Sequence, residues 1–445
     1  MRALKSLPDI KPIPTHRAII DRLPTHVEPW DLSHTHSANR NAIDPIIFQQ
    51  SLGGDINGAW RWPRRPIYFI ADPHADAQAF IDSLVATGTV VKRGDKPTEF
   101  ELNRAGKDAI YVIGGDCLDK GPSNLELLRA IRHLMGLSKR VKLLAGNHDV
   151  RLLMGIRTVT GDCDTTTEHL FVRMGDKVIP LFKEIHRVYL AGKKIPKKIP
   201  DEATCRAKLF PSEDWFEQFP REAADFMSEA AIERELKRMR KKVNGFETSC
   251  HKAGFTLREI YHIALTCRAL FLKPKGEFSW FYREMRLAYR NGAFLFVHAG
   301  LDDAISEALR DKGVKHLNRQ FRKQIKNDLF HFYFGPLANT MRTKYRPADL
   351  SLTETGLTAL RETGIRTLVH GHINRLHGQR LAVKEGMLHI EGDITLDRNS
   401  RRKEGLHGVG AGVTVIHPDR HILGISVDYP KAKLFRPEAC EYQTC

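Results

Sequence analysis

Nowhere in the 445 residues does an apolar run approach the roughly 18–20 residues a membrane helix needs. The opening stretch, MRALKSLPDIKPIPTHR, carries basic groups but no apolar core of about 7–15 residues, so no secretory leader is expected and a soluble cytoplasmic protein is. Cysteine is scarce: there are seven, an odd number, and no C-x-x-C pair. That argues against a disulfide framework and a zinc ribbon, so reduced thiols are expected, with Cys440 and Cys445 set aside as a tail feature. No internal repeat and no low-complexity tract is present. The chain is also short of acid: 53 Asp and Glu stand against 70 Lys and Arg, giving +17 and a pI near 9.5. A surface so basic attracts phosphate on nucleic acid, nucleotides or phosphoproteins, and charge alone does not choose among them. With 42% hydrophobic and 28% charged residues and a mean hydropathy of −0.37, the composition is that of a globular protein with a buried core, not a disordered or collagenous chain. At 50.6 kDa it has room for two or three domains, or one large domain with insertions.

Residues 1–65, rich in Pro, His and Arg (PDIKPIPTH, RWPRRP), show little periodicity and read as an irregular N-terminal extension with one short helix at most. From Ile67 the texture changes. Five short apolar runs follow: IYFIAD (67–72), AIYVIGGD (109–116), VKLLAGN (141–147), AFLFVHAG (293–300) and TLVHGH (367–372). Runs rich in Val, Ile, Leu and aromatics, flanked by helical or loop sequence, are those of strands buried on both faces of a sheet. Between them AQAFIDSLVATG and SNLELLRAIRHLMG carry apolar residues at three- and four-residue spacing and stop at Gly, as amphipathic helices do. The interval from 151 to 290 breaks the pattern and reads as an inserted helical cap. It includes AIERELKRMRKKVNG (231–245), where six Lys and Arg stand against two Glu; the plainer reading of that helix is a solvated face. Alternating segments MLHIEGDITLD (387–397), GVGAGVTVIHP and HILGISVDY (421–429) predict a strand meander closing a second sheet.

Each of the five apolar runs ends in a small polar cluster, where ligands gather beyond the carboxyl ends of strands in open α/β sheets. In order they are Asp72-Pro73-His74, then Gly115-Asp116-Cys117-Leu118-Asp119-Lys120-Gly121, Gly146-Asn147-His148-Asp149, His298-Ala299-Gly300, and Gly371-His372. A lone D-x-H occurs by chance, and a single buried His is more often a satisfied core residue. Five clusters in order, each at the end of an apolar run, are another matter. Two carboxylates, one amide and three imidazoles are available as metal ligands, with Asp119 and His148 left over. Mixed oxygen and nitrogen donors suit Mn, Fe or Zn better than Mg or Ca. Asp72 and His74, two apart, point to one side of an extended strand end. A carboxylate such as Asp116 can bridge two metals about 3.5–4 Å apart, a pair that lowers the pKa of a shared water and clamps an in-line displacement at phosphorus.

The set D-x-H, G-D-x-x-D-[RK]-G, G-N-H-D, H-A-G and G-H resembles the calcineurin-like metallophosphoesterase superfamily, nearest the branch of phosphoprotein phosphatases and symmetrical diadenosine tetraphosphate hydrolases. The likeness covers roughly 67–155 and 290–430. It implies a four-layered α/β/β/α sandwich with a dinuclear metal site between two sheets, plus the inserted cap. The implied organisation is an extension (1–65), a first part of the core (66–155), a basic helical cap (156–290), a second part of the core (291–435) and a tail (436–445). By the family pattern Asp72, His74 and Asp116 hold the first metal, and Asp116, Asn147, His298 and His372 the second. His148 protonates the leaving oxygen, and Asp119 orients His148.

Several positions depart from that pattern. Ala71 and Ala75 stand where the family usually has Gly, a small change unless the backbone needs positive φ. Lys120 replaces the usual Arg, keeping charge but losing the bidentate fork on phosphate. A second phosphate-clamping Arg is expected further on; Arg346 is the candidate, with Arg342 or a residue of the insert as alternatives. Asn374, in G-H-I-N, replaces the second His that the phosphodiesterases and nucleases of the superfamily carry. His370 reads as packing behind the site, and His26, His34 and His36 as surface residues. The leading functional reading is a two-metal phosphatase, with Mn²⁺ expected and Fe or Zn as alternatives, hydrolysing phosphoserine and phosphothreonine in proteins by direct attack of a metal-bridging hydroxide. The alternative is hydrolysis of a diadenosine polyphosphate or other nucleotide. A nuclease or nucleic-acid-binding protein ranks third, disfavoured by the complete ligand set and by Asn374.

Overall fold

The five apolar runs form strands in the computed structural model, which describes residues 19–30, 60–159, 166–225 and 227–437. They are β2 (Ile67–Ile70), β5 (Ile110–Ile113), β6 (Val141–Leu144), β9 (Phe294–Phe296) and β10 (Thr367–His370). Alternation decides what each side of a strand meets. Ile67, Phe69 and Val112 enter one buried cluster with Phe294, Phe296, Val369, Leu388 and Ile390, while Tyr68, Ile70, Tyr111 and Ile113 enter another with helical residues. The first cluster is the seam between two sheets.

One sheet has eight strands in the order β1-β15-β14-β13-β2-β5-β6-β7, where β1 is Val27–Pro29, β7 Met285–Arg286, β13 Gly412–His417, β14 His421–Ser426 and β15 Ala432–Phe435. The other has five, β11-β12-β10-β9-β8, with β8 at Tyr289–Asn291, β11 at Arg380–Lys384 and β12 at Met387–Glu391. A short hairpin of β3 (Val90–Lys92) and β4 (Phe100–Leu102) stands apart. The pairs β2–β5–β6 and β9–β10–β12 are parallel. Helices α1 (Ala77–Val85), α2 (Asn124–Leu137) and α3 (Asn147–Thr158) connect or follow the central strands of the larger sheet, and α7 (Asp303–Asn327) packs on α8 (Glu354–Glu362) after β9. Two facing sheets with helices outside them make the α/β/β/α sandwich implied by the sequence resemblance.

Two expectations change. The C-terminal segments do not close the second sheet together: β12 joins it, but β13 runs antiparallel to β2 and carries β14 and β15 into the first sheet. Local alternation marks a strand without naming its neighbour. The extension read as irregular supplies an edge strand, β1, parallel to β15, and buries Trp30, whose N–H donates to the Leu434 carbonyl at 2.7 Å. Trp60 and Trp62 both lie against Phe294, at 5.6 and 5.2 Å. His26 is exposed, as expected; His34 and His36 lie outside the described residues.

The insert is helical, including α4 (Ile179–Ile185), α5 (Glu229–Lys252) and α6 (Leu257–Leu272). Ile232, Met239, Phe246 and Cys250 form the buried stripe of α5, while Arg234, Lys237, Arg238, Arg240 and Lys241 are exposed, the solvated face expected for this basic helix. Its buried Glu235 pairs with the buried Arg173, and Lys242 donates to the Arg173 carbonyl at 2.7 Å. Among the described residues no helix is long and apolar enough to cross a membrane.

Candidate metal centre

At the strand ends the backbone turns through the left-handed region at residues that are not glycine: Asp72 (φ 49°), His74 (39°), Ala75 (53°), Asp116 (50°), Asp119 (69°), Lys120 (66°) and His372 (67°). Each costs on the order of 1 kcal/mol and persists only where neighbouring bonds over-determine it, a pattern typical of functional sites. Ala75 is thus not the neutral replacement for Gly expected from its size. It is held by donation from its own N–H to the Cys117 carbonyl (2.8 Å) and from Ser123 N–H to its carbonyl (2.7 Å). Gly371 has no alternative, because a Cβ there would stand 1.9 Å from Asp72 Oδ1.

The turns bring the donor groups together in two sets that share one carboxylate. Asp72, His74 and Asp116 form one, and Asp116, His298 and His372 the other, the donor atoms of each lying within 4.8 Å of one another. His298 Nε2 is 3.4 Å from Asp116 Oδ2, and His74 Nε2 is 3.8 Å from both Asp72 Oδ2 and Asp116 Oδ2. Asn147 joins the second set: its side-chain oxygen is 3.2 Å from His298 Nε2 and also faces His372 Nδ1 and the Met341 carbonyl, while its amide nitrogen faces Arg151.

The second nitrogen of each imidazole is engaged with a backbone carbonyl: His298 Nδ1 with Gly114 (2.8 Å), His372 Nε2 with Arg342 (3.2 Å) and His74 Nδ1 with Leu118 (3.4 Å). Such bonds orient each ring and turn its other nitrogen toward the shared donor set. Electrostatics agree. Burial alone would raise Asp116, yet the imidazoles of His298, His148 and His74 hold its carboxyl well below the usual range. Burial would lower His298, but Asp116 and Asp72 push it up to about 10, so a proton stands where a cation would. Lys120 supplies another positive charge, its Nζ 2.6 Å from His74 Nε2. Buried mixed-donor sets that already gather cationic charge fit divalent metal ions.

His148 stands beside both sets without belonging to either. Its N–H donates to Asp116 Oδ1 at 2.8 Å, and its Nδ1 bonds Asp119 Oδ2 at 2.9 Å. Burial pushes Asp119 up to about 8 and His148 down, so the pair shares its protons: one lies between Oδ2 and Nδ1, leaving Nε2 as the proton-bearing outer atom near neutrality.

Some functional contacts were not foreseen from sequence. Asp149, quoted in G-N-H-D without a role, accepts from Cys117 and Leu118 N–H on Oδ1 (2.9 and 3.0 Å) and from Gly146 N–H on Oδ2 (3.3 Å), tying the Asp116 loop to α3. Arg151, two residues on, reaches the Asn147 amide, and the Arg342 guanidinium lies 5.0 Å over the Tyr333 ring, which Arg173 also faces at 5.1 Å. Neither Arg151 nor Arg342 is paired with a carboxylate among the described residues. Arg346 is exposed on a turn where its N–H donates to Asp349, and no hydrogen bond or ion pair joins its side chain to the donor groups.

Residues 65–231 match the family model described as calcineurin-like phosphoesterase, in line with the resemblance read from the sequence. The matched span includes Asp72, His74, Asp116, Asn147 and His148 and ends before His298 and His372, which the fold brings in. No curated protein matches the chain by sequence. Among solved structures it is similar to a cold-active protein tyrosine phosphatase at 12% identity, covering 83% of this chain and 78% of that one with a TM-score of 0.43. It is similar to the corresponding enzyme of a psychrophilic Shewanella species at 13% identity (84% and 80% covered, TM-score 0.41). A third is a protein serine/threonine phosphatase from Saccharomyces cerevisiae with similarity to human phosphatase PP5, at 12% identity (95% and 90% covered, TM-score 0.38).

Proposed function

From a calcineurin-like phosphoesterase core whose donor groups form two sets sharing Asp116, we propose a two-metal phosphatase that hydrolyses phosphate monoesters. Asp72, His74 and Asp116 would hold one ion, and Asp116, Asn147, His298 and His372 the other, Mn²⁺ being our choice and Fe or Zn the alternatives. When bound, the ions supply Lewis acidity to the phosphoryl oxygens and activate the attacking water. The chain's own residues do the rest. His148 delivers the Nε2 proton to the departing oxygen, Asp119 keeps its ring oriented, and Lys120 with Arg151 and Arg342 grips the phosphoryl oxygens. Arg342, whose carbonyl meets His372 Nε2, is the second clamp we place first, with Arg346 as the alternative. The observation that carries this reading is the shared carboxylate with the His148–Asp119 pair alongside it.

Phosphoserine and phosphothreonine in proteins are the substrates we place first, on the G-H-I-N motif, which lacks the second His of the phosphodiesterases and nucleases. A second reading, a diadenosine polyphosphate or other nucleotide, is favoured by Lys177 of the insert, whose charge acts on the Arg151, Asp116 and Asp119 side of the site. The test uses chelator-stripped protein, with and without Mn²⁺, on an aryl phosphate monoester and a bis-aryl diester. Metal-restored monoesterase activity with little diester cleavage is expected; dominant diesterase activity would overturn the assignment. Phosphopeptides against dinucleoside polyphosphates then separate the two substrate readings.

A further inference from the structure

Helix α2 starts with an apparent capping box, Ser123-x-x-Glu126, but the box is not made. Ser123 Oγ donates to the Ala75 carbonyl at 3.1 Å and accepts from Ala77 N–H at 3.0 Å, so it serves the D-x-H turn instead. The first donors of α2 are met from the insert. Glu184, buried on α4, accepts on Oε1 from Asn124 N–H (2.8 Å) and Asn124 Nδ2 (2.7 Å), and on Oε2 from Leu125 N–H (3.0 Å). A carboxylate at a helix N-terminus also meets the favourable end of the helix dipole.

With its Nδ2 held by Glu184, Asn124 turns Oδ1 to accept from the N–H of Asp119 at 3.0 Å. Asp119 is one of the left-handed residues, and its carboxylate holds His148 at 2.9 Å. An unbroken line of buried hydrogen bonds therefore runs from the insert through Asn124 and Asp119 to His148. We propose that Glu184 is a positioning residue for the proton-donating pair, so that the insert is a working part of the active site. The inference rests on the phosphoesterase reading above for its kinetic meaning, though not for its geometry.

The test compares Glu184→Ala and the conservative Glu184→Gln on dinitrophenyl phosphate, whose leaving group needs no proton, and phenyl phosphate, whose leaving group does. For Glu184→Ala, kcat on phenyl phosphate should fall about 10-fold or more, against less than about 2-fold on dinitrophenyl phosphate, with KM and metal content unchanged. Glu184→Gln, which keeps one acceptor oxygen, should fall between. In a His148→Asn background, Glu184→Ala should cause no further loss on phenyl phosphate, because both act through one group. Equal losses on both esters, or losses that multiply in the double variant, would overturn the proposal. An activity-independent readout is the downfield Nδ1–H proton resonance of His148, identified by its loss in His148→Asn. It should weaken or broaden in Glu184→Ala, and an unchanged signal refutes the link. Should the wild type hydrolyse no monoester with Mn²⁺, the phosphoesterase reading fails while the resonance still decides the positioning.

Discussion

Asp149 is fully buried and satisfies three backbone donors: Cys117 and Leu118 on one oxygen and Gly146 on the other. Asp149→Ala strips all three of their acceptor in a place with no solvent. An orphaned buried donor costs about 1–3 kcal/mol, so with the long 3.3 Å bond to Gly146 near the low end the sum is roughly 3–7 kcal/mol. Asp149→Asn keeps an oxygen for Cys117 and Leu118 and turns an NH₂ against Gly146 N–H, so it should lose only about 1–2 kcal/mol. The assay is equilibrium urea unfolding of both variants in chelator, which removes any contribution of bound metal to apparent stability. Alanine within about 0.5 kcal/mol of wild type, the range of an unremarkable surface change, would refute the reasoning. So would asparagine as damaging as alanine. Since Cys117 follows Asp116 directly, the alanine variant should also bind fewer metal equivalents by elemental analysis.

Asp116→Asn removes the carboxylate common to both donor sets, so it should lose both metals and all turnover; retention of either by metal analysis and rate would dismiss the shared-ligand assignment. His148→Asn should keep its metal content but slow turnover by about 10²–10⁴-fold, read from kcat on phenyl phosphate. Lys242 is pushed down to about 7 by burial and then by neighbouring Arg173 and Arg151. Between its folded value and its ordinary value near 10.5, the unfolded chain binds a proton that the folded chain does not, so stability rises with pH across that window. Lys242→Met should flatten that rise in urea unfolding measured at pH 7 and 9; parallel curves for the two proteins would exclude it.

The sandwich was legible because strands buried on both faces must be nearly continuous apolar runs, and each of the five central runs ended in its functional residues. Asp72 through His372 could be named for the same reason, since the motif letters sit at strand ends where the backbone turns. Partnership was not legible. GVTVIH reads as a strand whether it pairs with β2 or β12, and VEP, three residues ending in proline, carries no strand signal until Ala432, Lys433 and Leu434 lie alongside. Glu184 is an acid inside a helical insert, and nothing near it in sequence points to Asn124. Ser123 and Glu126 misdirect, because they spell a local cap that the tertiary structure replaces. Arg151 and Arg342 matter for what they lack, a carboxylate partner, and that shows only when the surroundings are assembled.

The pairing of β1 with β15 sets an order of events during synthesis. Val27 lies opposite Ala432, so the first described strand leaves the ribosome long before its partner exists and must wait, unpaired, while nearly everything else is made. Until then Trp30 has no seat and the outer edge of the larger sheet is open. A version trimmed to begin near residue 60 would never close that edge: β15 would present its free backbone groups to other copies, a known route to aggregation. Trimming the early segment is therefore a solubility hazard even though every metal-donor residue lies beyond it.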